Sequence, residues 1–281
     1  MLNINTNSGA ILAANAAKDA QKLMDAAMTR LSTGKRLNSA KDAPASLSVA
    51  IRMTSEIQGL SGALRNARDA QAAVDTGEAA LAEAQTLLLR IRELAVQAST
   101  ETTTDADRAA LDSEVTALET EIDRIGSSTT WGGIKLLDGS FSSGNPIIFQ
   151  VGPNNGHTIS FTLGFLKATT TADVQGTLGL NSNVTTLTNA SAYIATIDGA
   201  LSTISSRRGS FGAVSNRLDS TIANLQNMRA NIETAKGQIE DADYATETAN
   251  LARAQILLQA ATAMLSQANA SKSQTMQLIN G

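Results

Sequence analysis

The sequence predicts a mainly α fold. Long antiparallel coiled-coil helices form a rod, a small β-hairpin is inserted in it, and the N- and C-terminal helices pair as a separate region. Three observations carry this. Apolar or small residues recur in steps of three and four from Leu60 to Ala98. The two ends of the chain carry matching Ala-rich repeats. Of 281 residues 42% are hydrophobic but only 3% are aromatic, so the apolar content is Ala, Leu, Ile and Val. Thick globular cores use aromatics for the area each buries; this mixture suits thin helix–helix seams.

The first element spans Ala10 to Leu31. Ala10, Ala13, Ala17, Ala20, Met24, Ala27 and Leu31 form the stripe, and Leu12, Leu23 and Met28 widen it. Alanine seams let helices approach closely but remove little apolar surface from water, at about 25 cal/mol per Å². Such a helix is marginal alone and needs partners on several sides. Gly34 suits its C-cap. Residues 32–44 read as a linker, with Pro44 placed for a helix restart.

The long seam helix then runs from about Ala45 to Gln97. Its stripe is Leu60, Ala63, Ala67, Ala70, Val74, Gly77, Leu81, Ala84, Leu88, Ile91, Ala95 and Ala98. This is the spacing of a helix that presents one continuous seam to a partner. After a polar turn at Ser99 to Thr104, Asp105 is the expected N-cap of a shorter helix carrying Leu111, Val115, Leu118, Ile122 and Ile125.

From Trp131 to Asn189 the helical period is lost. Residues 146–163 read as a β-hairpin: Ile159, Phe161 and Leu163 alternate, and the turn is rich in Gly and Asn. A lone hairpin is barely stable, so it should pack on the helices. Residues 166–189 read as a short, exposed, variable connection. Helix returns at about Ala190 with Ile194, Ile197, Leu201, Ile204, Phe211, Leu218, Ile222, Leu225 and Ile232, interrupted by Arg208, Ser215 and Arg229. Gly237 to Tyr244 reads as a second linker. Leu251, Ala254, Leu258, Ala261, Leu265 and Ala268 then repeat the N-terminal pattern. The nesting predicts a terminal region of residues 1–43 with 237–281, and a rod of 44–165 with 190–236.

Several function classes find no support. The net charge is −4 with no basic block, against nucleic acid as a partner. No apolar run reaches the roughly 18 residues of a membrane span. The first twenty residues lack the basic and long apolar regions of a secretory signal. There is no cysteine, hence no thiol catalysis, disulfide or thiolate metal site. The single histidine, His157, reads as a turn residue, and one histidine makes no His-rich metal site. No H-E-x-x-H, phosphate-binding loop or nucleophile elbow is present. Glu240-Asp241-Ala242-Asp243 reads as charge at a helix N-terminus rather than a cation site. Arg90-Ile91-Arg92-Glu93 places charge beside the seam, either as a solvated face or as an interaction surface. No cofactor and no enzymatic activity are expected.

The chain resembles bacterial flagellin, the subunit of the flagellar filament. The residues that carry the likeness are Ile4 to Asn7, Arg30 to Asp42, Arg90 to Gln97, Glu121 to Ile125, Phe149 to Gly152, Ile239 to Glu247 and Ala252 to Gln259, all in the family's order. It covers about residues 1–165 and 190–281. The resemblance implies a structural protein that is exported unfolded through the flagellar secretion channel and polymerises outside the cell into the filament used for swimming. The short middle implies a minimal form without large outer domains. The alternative is a hook–filament junction protein. The resemblance implies core assembly helices at Ala13, Ala20, Leu31, Leu251, Leu258 and Leu265. Arg90, Arg92 and Glu93 are expected to meet the next subunit. Arg90, Leu94 and Glu114 match family positions recognised by toll-like receptor 5, whereas Leu89 stands where the family often has Gln. Further implied partners are the export chaperone, over roughly 240–281, and the hook-associated and cap proteins.

Overall fold

The computed structural model describes residues 6–139, 146–162, 164, 166–168, 178–180 and 183–280, with the side chains of 275, 276 and 278–280 excepted. Parts of the expected features lie outside these residues: Ile4 and Asn5, Leu163 at the end of the hairpin, and residues 169–177 and 181–182 of the 166–189 connection.

Five helices and two short hairpins make up the described chain. In order they are α1 (Ser8–Thr33), α2 (Pro44–Ala98), α3 (Asp105–Ser128), β1 (Thr130–Trp131), β2 (Ile134–Lys135), β3 (Ile147–Gln150), β4 (Thr158–Phe161), α4 (Leu187–Glu240) and α5 (Tyr244–Asn280). The mainly helical fold with a hairpin insert is therefore as the sequence predicts. The chain divides into two compact units, residues 1–57 with 230–281 and residues 58–229.

In the first unit α1 packs against α5. Asn7 caps α1 by accepting from the Ala10 amide at 3.1 Å, and its side-chain amide donates to Ala268 O at 3.2 Å. Gly34 ends α1 in the left-handed conformation. The segment after it pairs with the end of α4: Arg36 N donates to Glu240 O, and Ala242 N to Gly34 O. The linker expected from Gly237 is thus shorter. α4 continues through Glu240, and only Asp241 to Asp243 separate it from α5.

The second unit is built around α2. All twelve stripe positions from Leu60 to Ala98 are buried. Ala67, Ala70, Val74 and the stripe residues from Leu81 to Ala98 join one cluster with Val115, Ile122 and Ile125 of α3, Ile147, Ile159 and Phe161 of the β3–β4 hairpin, and Ile197, Ile204, Phe211 and Leu218 of α4. The antiparallel hairpin pairs Ile147 with Phe161 and Gln150 with Thr158. Phe161 stacks on Phe149 and meets Phe211 edge-on, with ring centres 5.7 and 6.0 Å apart, which seats the hairpin on α4.

Three expectations are corrected. The N-cap of α3 is Thr104, not Asp105. Thr104 accepts from the Asp107 amide while the Asp107 carboxylate accepts from the Thr104 amide and hydroxyl, a reciprocal capping box. A second hairpin, β1–β2, turns at Gly132-Gly133 inside the stretch read only as irregular. The connection before α4 is not exposed where it is described. Leu166, Ala168, Leu178, Leu180 and Val184 are all buried. Carboxylates of α3 hold two of them: Asp123 accepts from Ala168 N at 2.6 Å and Asp112 from Val184 N at 2.8 Å. Gly126 makes the close approach possible, since a Cβ there would lie 2.0 Å from Leu166 O. The helix that follows starts at Leu187, three residues before Ala190.

Candidate assembly surfaces

The alanines of α1 and α5 are what lets the two helices pack closely. Ala13, Ala20 and Ala27 face Ala254 and Ala261, all buried. Leu31, Leu251, Leu258 and Leu265 are half-buried. The six residues the resemblance implies as core assembly positions therefore belong to the seam within the chain. Other large apolar residues of the pair are exposed: Ile11, Leu12, Leu23 and Met28 on α1, and Ile256, Leu257 and Met264 on α5, with Leu12 75% and Met264 63% exposed. A groove of about 510 Å³ lies along one flank of the pair, lined by Gly9, Leu12, Ala16, Leu257, Ala260 and Met264. The sequence does signal it. Leu12, Leu23 and Met28 widen the α1 stripe, and Leu257 and Met264 precede Leu258 and Leu265 by one residue, a turn of about 100° around a 3.6-residue helix.

The acidic run Glu240 to Asp243 is consumed by local structure. Glu240 pairs with Lys35 at 2.6 Å and Lys236 at 3.4 Å, and the Lys35 hydrogen bond holds its carboxyl below the usual range. Asp243 caps α5 by accepting from Thr246 Oγ1 at 2.6 Å and Ala245 N at 3.0 Å. Among the described residues, no three His, Asp or Glu side chains converge as a metal site. No described helix is long and apolar enough to cross a membrane.

In the second unit, Arg90 of α2 donates to Glu114 of α3 at 2.9 Å and to Glu93 at 2.7 Å. The Glu114 and Glu93 hydrogen bonds raise the pKa of Arg90 further and keep it charged. Arg92 donates to Asp198 of α4 at 2.8 Å. These four charged residues named from the sequence are at the surface, but Leu94 is not: it is 1% exposed, in the core beneath them. Leu89 and Val96 are exposed on the same helix. The Arg208 that interrupts the α4 stripe reaches Glu78 at 2.6 Å and Gln85 at 2.6 Å on α2, so the interruption is a polar link across the seam.

Comparison with known proteins agrees with this architecture. The family model of the bacterial flagellin N-terminal helical region matches residues 4–142, and that of the C-terminal helical region matches 194–279. A flagellin of Halalkalibacterium halodurans is 39% identical over 203 residues, 72% of this chain and 71% of that protein. Flagellin B of Vibrio cholerae is 38% identical over 171 residues, 61% of this chain but only 45% of that protein. A solved structure assigned to the flagellar hook-associated proteins, from Vibrio parahaemolyticus, covers 71% of this chain with a TM-score of 0.59; at 15% identity it shows the fold alone. With both terminal helical regions matched and a relative aligned over most of its length, the chain belongs to the bacterial flagellins.

Proposed function

We propose that this chain is a structural subunit that polymerises, outside the cell, into the flagellar filament used for swimming, after export in unfolded form through the flagellar secretion channel. The observation that carries the reading is the exposed apolar surface of the α1–α5 pair. Alanines fill the seam, while large apolar side chains stand open around it, with Leu12, Leu257 and Met264 gathered along one groove. A contiguous exposed apolar face marks an interaction site. When the same surface engages a different surface on the next copy without closing, the product is a helical filament. Membership of the flagellins and the nested chain order support the same conclusion. In this reading residues 1–43 with 237–281 form the filament core, and 44–165 with 190–236 the rod. Arg90, Arg92 and Glu93 meet the next subunit.

The finer partners follow from the family. The C-terminal segment, roughly 240–281, takes the export chaperone, and the hook-associated and cap proteins bound the filament. Arg90 and Glu114 are open to toll-like receptor 5, with Leu94 supporting them from the core. Deletion of 241–281 tests the central claim. The truncated protein should stay soluble and fail to extend filament seeds that the full chain extends; filaments of normal length from the truncation would overturn it. The same assay separates the junction-protein reading, since a junction protein binds seed ends without elongating them.

A further inference from the structure

We infer that Asn155, at the tip of the β3–β4 hairpin, is a site of spontaneous deamidation, independent of the filament reading. The reaction needs an asparagine side chain free to approach the next backbone nitrogen, and a next residue that does not hinder it. Asn155 and Gly156 are both exposed. No hydrogen bond engages the Asn155 side chain or the Gly156 N–H among the described residues. Gly156 has φ +86°, and nothing lies within 4 Å of where its Cβ would be. The turn around the pair is held elsewhere. Gln150 Nε2 donates to Gly152 O at 2.8 Å and Asn154 O at 2.5 Å, His157 N donates to Asn154 O at 3.3 Å, and Thr158 N donates to Gly156 O at 2.9 Å. The flanks are fixed and the reacting peptide is open.

Two other asparagines precede a serine in described structure, and both are tied down. Asn7, before Ser8, accepts from Ala10 N and donates to Ala268 O. Asn38, before Ser39, donates to Lys35 O at 2.9 Å, and the Ser39 nitrogen that would attack instead donates to Asp42 at 2.8 Å. The backbone hydrogen bonds from Ser39 and Asn38 keep the Asp42 carboxyl below its usual range, so that acceptor stays charged.

The chemistry requires only water. Hydroxide removes the Gly156 N–H proton, and the nitrogen attacks Asn155 Cγ. The Cγ–N bond breaks, and the amide nitrogen takes a proton and leaves as ammonia. The five-membered imide then adds water at either carbonyl. One opening restores the backbone with a carboxylate side chain; the other routes the backbone through the former side chain and lengthens it by one methylene. Either product places a new negative charge at the tip of a hairpin whose Pro153 packs beside Gly59 of α2.

The test ages the full chain in buffer and follows each asparagine by peptide mass spectrometry, with isoaspartate labelled by its methyltransferase. Asn155 should convert on the order of tenfold faster than Asn38, because breaking one hydrogen bond before attack costs close to that factor. The rate should rise with pH, and isoaspartate should appear at 155. In denaturant the gap between the two sites should shrink. Asn155→Gln, which leaves Gly156 and the turn backbone unchanged, should abolish isoaspartate in that peptide. Conversion of Asn155 no faster than Asn38 in the folded chain would overturn the inference, as would a gap that is no smaller in denaturant than in the folded chain.

Discussion

The hydroxyl of Tyr193 on α4 donates a hydrogen bond to the carboxylate of Glu119 on α3, in the interior of the second unit. Tyr193 is fully buried and Glu119 nearly so. Burial, with Asp112 and Asp123 nearby, outweighs the Tyr193 bond and pushes the Glu119 carboxyl above its ordinary range.

That arrangement fixes a sign. A carboxyl raised in the folded state binds its proton more tightly there than in the unfolded chain. Its stabilising contribution is therefore complete below the unfolded value, 4.5, and is lost as pH rises through the folded one. Denaturant melts of Glu119→Gln across that range should show the variant gaining on the wild type as pH rises; the opposite trend refutes the assignment. Tyr193→Phe leaves Glu119 buried without this donor and should cost about 1–3 kcal/mol near neutral pH.

Leu88 and Leu89 are neighbours with opposite environments. Leu88 is 0% exposed in the seam, whereas Leu89 is 52% exposed. Leu88→Ala should destabilise by about 2–5 kcal/mol through lost burial and the cavity left behind. Leu89→Ala should stay within about 0.5 kcal/mol of wild type. Similar losses at both would mean the helix is rotated from the orientation described.

The α2 seam was legible because its signal is one-dimensional: twelve small or apolar positions at a constant period, all of them buried. Composition and period alone located α1, α5 and the β3–β4 hairpin as well. What stayed hidden depends on contacts distant in sequence. The placement of Val184 and Ala168 rests on Asp112 and Asp123, 72 and 45 residues from their backbone partners. A polar, Thr-rich stretch gives no periodic sign of that. The assembly face was half legible. The apolar excess of α1 showed its width, but which flank faces α5 is decided by where alanines meet, and that needs both helices at once.

The outer face of α5 separates assembly from folding. Leu257 lines the open groove, and Ala254 lies in the seam. Leu257→Gln should leave the melting temperature of the free chain within a degree or two, as a surface change away from packed contacts, and should slow elongation from filament seeds. Ala254→Leu overfills the seam and should lower helix content in the first unit through overpacking, on the order of 1–3 kcal/mol. Normal elongation by Leu257→Gln would remove this face from the assembly contact.

Arg90 tests the other surface. Its bonds to Glu114 and Glu93 are solvent-exposed, and pairs of that kind add little to stability. Removing the guanidinium leaves two carboxylates facing each other across α2 and α3 with no cation between them. A neighbouring subunit docking there would meet uncompensated negative charge. Arg90→Ala should therefore slow seeded elongation clearly while barely moving the thermal midpoint, and added salt should narrow the elongation defect by screening the carboxylates. A large fall in the midpoint with unchanged elongation would make Arg90 a tie between α2 and α3 and nothing more.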